Sequence, residues 1–314
     1  MIHHGPPTLA LATLLAAGCG DGLCHQGDVS PIAVPPGSRL NAVALGYFAA
    51  TLDEGSMLAV GDDGLVLTAD LNYQLRASRP VAADLHDVTY GPSGQRFAVG
   101  AGGTLIRGLV TDDTWQPVAT ATTADLWRVA WLRVGTAWFD GSQDREYVIA
   151  VGDEVVLVRD PVDAGWDLVT PPPGGWGQLR AVVADDRIHV GGLGGVLWSA
   201  DDPRGPWTRQ DIGTTADLLA AAWDYEALLV GTRGTVVTRR DGAWVVVETG
   251  LGDLIDFTGV YGLAADGQLY RLSPPEEPLR LGWTAPGARA LADDVELVAV
   301  GDDLALRAEA YCGR

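Results

Sequence analysis

Along this chain, short runs of β-branched and other apolar residues alternate with turn-forming Gly, Asp and Pro. Outside residues 8–17, no window sustains the i, i+3, i+4, i+7 apolar stripe of a helix. The pattern predicts an all-β fold. One line recurs seven times: AVGDDGLVLT from Ala59, AVGAGGTLIR from Ala98, AVGDEVVLVR from Ala150, VGGLGGVLWS from Val190, VGTRGTVVTR from Val230, YGLAADGQLYR from Tyr261 and AVGDDLALR from Ala299. Ahead of most copies lies a second element: LNAVAL from Leu40, LHDVTY from Leu85, LWRVAW from Leu126, LRAVVA from Leu179, LLAAAW from Leu218 and LIDFTG from Leu254, with starts 36 to 53 residues apart. An aromatic follows several copies: Tyr73, Trp115, Trp166, Trp207 and Trp244. Each unit thus offers four β-prone runs, and seven such units predict a seven-bladed β-propeller of four-stranded antiparallel blades. Ala59, Ala98, Ala150 and Ala299 are expected at equivalent positions of second strands.

The seventh unit runs short. After runs at residues 295–301 and 304–309, no fourth run remains before Arg314. The β-prone segment 29–34 is predicted to supply the missing outer strand by pairing near Leu306, so that the last blade is closed by an N-terminal strand. Pro31 fits there, because an outermost strand can spare a donor. In the turns after the second runs, Gly61, Gly100, Gly152 and Gly231 and partners such as Gly64, Gly103 and Gly234 read as hairpin glycines needing positive φ. A phosphate-binding reading of Gly191-Gly192-Leu193-Gly194-Gly195 fails, because the dinucleotide pattern breaks at Leu197 and no long helix follows.

Length and composition, 314 residues with 41 Gly and 18 Pro, suit one substantial all-β domain. The formal charge is −20 and all 21 basic residues are Arg, so a nucleic-acid partner would meet net repulsion. Residues 8–17 are apolar over about half the roughly 20 residues a spanning helix needs, and read as a signal-peptide core. Leu15-Ala16-Ala17-Gly18-Cys19 resembles the bacterial lipobox, which implies lipidation of Cys19. An ordinary cleaved signal peptide is the alternative, since residues 1–4 hold no Lys or Arg and Ala16 stands where Leu is commoner. The expected organisation is a lipoprotein signal peptide at 1–18, an anchor and closing strand at 19–39 and the propeller at 40–314. With Cys19 set aside, Cys24 and Cys312 form an even pair that suggests a disulfide between the termini in an oxidising compartment. A metal site is not expected from two Cys without a His pair.

The run from Val190 through Ser199, Asp201, Trp207 and Thr208 resembles the BNR/Asp-box propellers, and Asp241-Gly242 with Trp244 is a second remnant. The leading LxxV element with AVGxxGTLhR is similar to the photosystem II stability and assembly factor family, and resembles the wider class of WD40/YVTN-like repeats. These resemblances cover roughly Leu40 to Arg307 and imply a seven-bladed propeller in which the Asp-box braces a turn while its Trp packs on the blade. The photosynthetic role of the second family is not implied.

BNR repeats also occur in sialidases, which makes glycoside hydrolysis the rival function. A sialidase needs an Arg triad, a Tyr nucleophile with a partnering Glu, and an acid/base carboxylate. Arg107, Arg159 and Arg271 share one repeat position and read as solvated strand ends, and Ser78-Arg79-Pro80 lacks the apolar residue of the sialidase Arg-x-Pro segment. Acidic pairs at Asp62-Asp63, Asp185-Asp186, Asp201-Asp202, Asp293-Asp294 and Asp302-Asp303 read as turn chemistry. His86 and His189 sit in strand-like runs without evident partners. The expected function is therefore a non-catalytic binding scaffold at the bacterial cell envelope. It would recognise a protein, or a glycan, as an assembly factor does, with no cofactor, no nucleic acid and membrane contact through the lipid alone. The alternative is a sialidase-like or other carbohydrate-active enzyme with a degenerate motif. Partner contact is expected at Trp138 and Phe139, in the insertion between Leu132 and Glu146, and more weakly at Trp176 in a Pro/Gly-rich link.

Overall fold

The computed structural model describes residues 24–47, 54–69, 74–110, 112–134, 145–160, 165–224, 226–240, 242–272, 278–293 and 296–312. They form seven four-stranded antiparallel sheets. Blade 1 consists of Leu40–Tyr47, Glu54–Gly61, Val66–Ala69 and Leu75–Ser78 from the axis outward. The innermost strands of blades 2 to 7 are Leu85–Tyr90, Leu126–Val134, Leu179–Ala184, Leu218–Asp224, Leu254–Thr258 and Ala288–Asp293. Each neighbours the next, and the last neighbours Leu40–Tyr47, which closes the ring. Ala59, Ala98, Ala150 and Ala299 oppose Val43, Val88, Val129 and Leu291, one equivalent position in four blades.

The two faces of every blade are covered by the blades on either side, so second and third strands read as nearly unbroken apolar runs; Val155–Arg159 is buried throughout. The cores lie between blades. Phe97, Val99 and Leu105 of blade 2 pack with Val148, Ala150 and Leu157 of blade 3 in one such layer. The leading Leu of the first six inner strands is fully buried. Two glycines of the repeated turn do separate jobs. Gly61 is extended, with φ −164°, and a Cβ there would lie 1.8 Å from the Arg39 carbonyl oxygen, so this position is Gly because two backbones meet. The positive φ expected of it falls instead on Asp63 at 54° and Gly64 at 65°. A carboxylate then fastens each of four turns: Asp84, Asp125, Asp217 and Asp253, just before the buried Leu of a blade, accept the turn N–H of Asp63, Gly102, Gly194 and Arg233 in the blade before, at 2.7 to 2.8 Å.

Blade 7 is completed by the segment Cys24–Pro31, which pairs antiparallel with Leu304–Cys312 in the order Pro31 to Leu306, Val29 to Ala308 and Cys24 to Cys312. The strand starts and ends somewhat earlier than residues 29–34. The side chains of both cysteines, together with Cys19, lie outside those described.

Candidate functional site

Every inner strand carries a β-bulge in the same place. Its register slips between Leu40 and Ala42, Leu85 and Asp87, Leu126 and Arg128, Leu179 and Ala181, Leu218 and Ala220, Leu254 and Asp256, and Ala288 and Ala290. The unpaired extra residue is re-aimed by the bulge. Consequently Asn41, His86, Trp127, Arg180, Leu219, Ile255 and Arg289, one from each blade, line a single cavity of about 370 Å³ at the mouth of the central channel, joined by Asp62, Asp84 and Arg128.

The mouth has a polar arc and an apolar one. In blades 2 to 4, His86 stacks on Trp127 with ring centres 4.1 Å apart and planes 6° from parallel, while the Arg180 guanidinium lies 4.4 Å from the Trp127 ring centre. His86 Nδ1 donates to the Leu126 carbonyl at 2.9 Å. Asp153 accepts from Arg180 at 2.8 Å and from the Trp127 indole at 3.2 Å. Across blades 7 and 1, Arg289 donates to Asn41 Oδ1 at 2.9 Å and pairs with Asp302 at 2.9 Å, while Asn41 donates to Asp62 at 2.9 Å. Blades 5 and 6 contribute only Leu219 and Ile255.

One position further along the inner strands, Ala42, Ala181, Ala220 and Ala290 leave room on the axis, and the other three blades fill it with Asp87, Arg128 and Asp256. The Arg128 guanidinium lies 2.9 Å from Asp256 and 3.7 Å from Asp87, and donates to the carbonyls of Arg180 and Leu219 at 3.2 and 3.3 Å. Each carboxylate also caps the next blade: Asp87 accepts the Val129 N–H and Asp256 the Leu291 N–H, both at 2.8 Å. Burial pushes the Asp87 carboxyl up to about 6 against the opposing pull of Arg128 and of the Val129 and Val88 amides. Burial also disfavours the Arg128 cation, but Asp256 and Asp87 outweigh it and raise its pKa. This ion triad separates the mouth from a deeper cavity of about 240 Å³, lined by Val43, Val182, Phe257 and Leu291 among others.

The residues singled out in the sequence fall elsewhere. Trp176 is not at the surface: it is 1% exposed and packs edge-on against Trp198 and Trp207, with ring centres 6.0 and 5.3 Å away, because the Pro/Gly link folds it over blade 4. Trp138 and Phe139 lie outside the described residues. Arg159 is no solvated strand end; it is buried 5.4 Å over the Phe97 ring, whereas Arg107 and Arg271 are half-buried. His189 does have partners. Ser199 Oγ donates to its Nδ1 at 2.7 Å and its Nε2 donates to Asp185 at 2.9 Å. Burial opposes the Asp185 charge, yet its bonds with His189, Asp186 and the Arg187 amide hold its pKa below the usual range. This Ser–His–Asp series has the order of a nucleophile chain. His189 and Ser199 are each 1% exposed, however, Trp244 lies edge-on to the imidazole, and none of the three residues lines either channel cavity; it braces blade 4. Among the described residues no group of three or more His, Cys, Asp or Glu is placed to hold a metal.

Solved structures share this ring. YCF48 from Cyanidioschyzon merolae superposes with a TM-score of 0.62 at 13% identity, over 91% of this chain and 98% of that one. The RRP9 WD40 repeats superpose with a TM-score of 0.70 at 8% identity, over 91% and 99%. At such identities the likeness is one of fold. No protein-family model matches the chain, and no curated protein does.

Proposed function

We propose that this chain is a non-catalytic scaffold of a bacterial cell envelope, tethered through lipid on Cys19 and recognising a protein partner. The observation that carries the reading is the channel mouth, where all seven blades present side chains suited to contact and, among the described residues, no Ser, Thr, Cys or Tyr lines the cavity. The fold shared with YCF48 and the RRP9 WD40 repeats supports the ring as a binding platform. The apolar run ending in Cys19 supports the tether. An oxidising compartment would join Cys24 to Cys312, which face each other in the strand register. The test is crosslinking of the full chain in its native envelope, beside metabolic labelling with palmitate. A single reproducible protein crosslink and label lost in Cys19→Ser are expected. No crosslink across reagents of several lengths, or unlabelled parent protein, would overturn the respective half.

A carbohydrate-active reading has one observation in its favour: three guanidinia, Arg128, Arg180 and Arg289, converge with the carboxylates of Asp62 and Asp84. Each arginine is already engaged, with Asp256, Asp153 and Asp302 respectively, and so is not free to clamp a substrate carboxylate. Hydrolysis of a fluorogenic sialoside by the purified chain, lost in Arg180→Ala, would install this reading in place of the first.

A further inference from the structure

We infer that the deeper channel cavity binds a small amine, a molecule with one ammonium group on an apolar body, and that the ammonium sits at Asp87. This site lies on the axis below the ion triad, so it is independent of the surface offered to a protein partner. The cavity has one polar end. Among the described residues its lining side chains are apolar except for Asp87, Arg128, Asp256 and Thr258. From the triad it runs away from the mouth as far as Leu45 and Thr258, both partly exposed. The triad sets two carboxylates against one guanidinium. Arg128 lies 2.9 Å from Asp256 and donates to the Arg180 and Leu219 carbonyls, but it reaches Asp87 only at 3.7 Å, longer than a hydrogen bond. Asp256 is thereby neutralised, and the excess negative charge rests on Asp87, which is buried. The Val129 and Val88 amides occupy two of the roughly four acceptor positions of its carboxylate. An ammonium supplies the missing charge and further donors, in a space where water screens neither. An anionic molecule would meet the excess charge, and a neutral one would leave it uncompensated.

The walls set the size of the apolar body. Ala44, Ala130, Ala221 and Ala292 leave the axis free, while Phe257 and Leu291 supply the larger contacts. At about 240 Å³ the cavity exceeds the roughly 150 Å³ that accommodates benzene in an apolar core, so its occupant has on the order of ten non-hydrogen atoms. Binding is also linked to protons. Burial holds the Asp87 carboxyl at about 6, so a cation seated there loses affinity as pH falls below that value and Asp87 takes up a proton. Arg128 and Asp256 are the other charged groups lining this cavity, whereas His86, Arg180, Arg289, Asp62 and Asp84 line the mouth.

The probe is phenethylamine, titrated into the full chain and followed by calorimetry beside phenethyl alcohol and phenylacetate, which keep the ring and change the head. The amine is expected to bind at least about tenfold more tightly than the alcohol, and phenylacetate not at all. Its affinity should be about tenfold weaker at pH 5 than at pH 7.5, because the amine stays protonated throughout while Asp87 does not stay ionised. Asp87→Asn keeps an oxygen for the Val129 N–H and should weaken the amine at least about tenfold while leaving the alcohol unchanged. Ala221→Leu, which fills the cavity from blade 5, should abolish binding of both without touching the triad. Should Asp87→Asn fail to fold, the pH series on the parent and Ala221→Leu still decide. No heat from the amine at millimolar concentration, equal binding of amine and alcohol, binding of phenylacetate, or amine affinity within twofold of the parent in either folded variant would overturn the inference. So would an affinity that does not change between the two pH values.

Discussion

Replacing Arg128 with Met keeps an unbranched side chain on the channel axis but removes the cation between Asp87 and Asp256. Truncating one member of a buried ion pair costs about 3 to 5 kcal/mol, because the remaining charge is left without compensation. The pH dependence separates this cause from lost packing. In the parent, Asp87 is raised from its ordinary 3.8 to about 6, so the folded state holds the extra proton between those values and stability falls by about 3 kcal/mol as pH rises through that window. Arg128 favours the charged form, so its removal pushes the Asp87 carboxyl further up. The variant then goes on losing stability above pH 6, by at most about 1.4 kcal/mol per pH unit, where the parent does not. Denaturant midpoints followed by tryptophan fluorescence should show a deficit of about 3 to 5 kcal/mol at pH 7 that is smaller at pH 5. Adding Asp87→Asn and Asp256→Asn to the variant should recover most of the loss. A deficit below about 1 kcal/mol at pH 7, or one as large at pH 5 as at pH 7, would refute the reasoning.

The two kinds of turn glycine should respond differently to Ala. Gly231→Ala puts a Cβ 1.7 Å from the Asp217 carbonyl oxygen and is expected to prevent soluble expression or cost more than about 3 kcal/mol, while Gly102→Ala, at φ +64° with nothing within 4 Å, should cost only about 1 to 2 kcal/mol. Parallel denaturation curves decide it. Nonreducing peptide mass spectrometry should find Cys24 linked to Cys312, and Cys24→Ser should then lower stability by up to about 5 kcal/mol; both thiols free under oxidising conditions would end that proposal. Trp138→Ser with Phe139→Ser should reduce partner crosslinking if the blade 3 insertion is a contact surface, and unchanged capture would remove it from consideration.

The ring was readable because its determinants repeat. A buried Leu, a close-approach Gly and a nearly unbroken apolar run recur in the same order from unit to unit, so the copies reinforce one another where a single copy would carry little weight. The inner strand of blade 7 escaped because Ala288 stands where the other six blades have Leu. The channel mouth was illegible for the opposite reason. Its seven lining positions hold Asn, His, Trp, Arg, Leu, Ile and Arg, and no constant residue marks a bulge whose purpose is to present different side chains. The ion triad did leave a trace: at the position after the bulge, alanine recurs four times, and a charge standing in for a small buried residue signals a partner across the axis. Which partner could not be read, since Arg128 and Asp256 meet only when blades 3 and 6 face each other. The His189 pairing with Ser199 was within reach, because hairpin register sets those two residues directly opposite. Trp176 misled because a Pro/Gly-rich link reads as surface, while its ring finds a pocket made by two other indoles.

Blade 7 takes its outermost strand from Cys24–Pro31 and its neighbour from Leu304–Cys312, segments separated by almost the whole described chain. Bringing them together forfeits the entropy of the largest loop in the molecule, so this zipper forms last, on a crescent whose other blades already lean on one another. During synthesis the first-made strand waits unpaired until the final blade appears. The seam is also where the ring parts most readily, since opening it disturbs one blade and leaves six intact. Amide exchange in Cys24–Pro31 and Leu304–Cys312 should accordingly be the fastest of any paired strand, and joining those two segments covalently should slow unfolding of the entire circle.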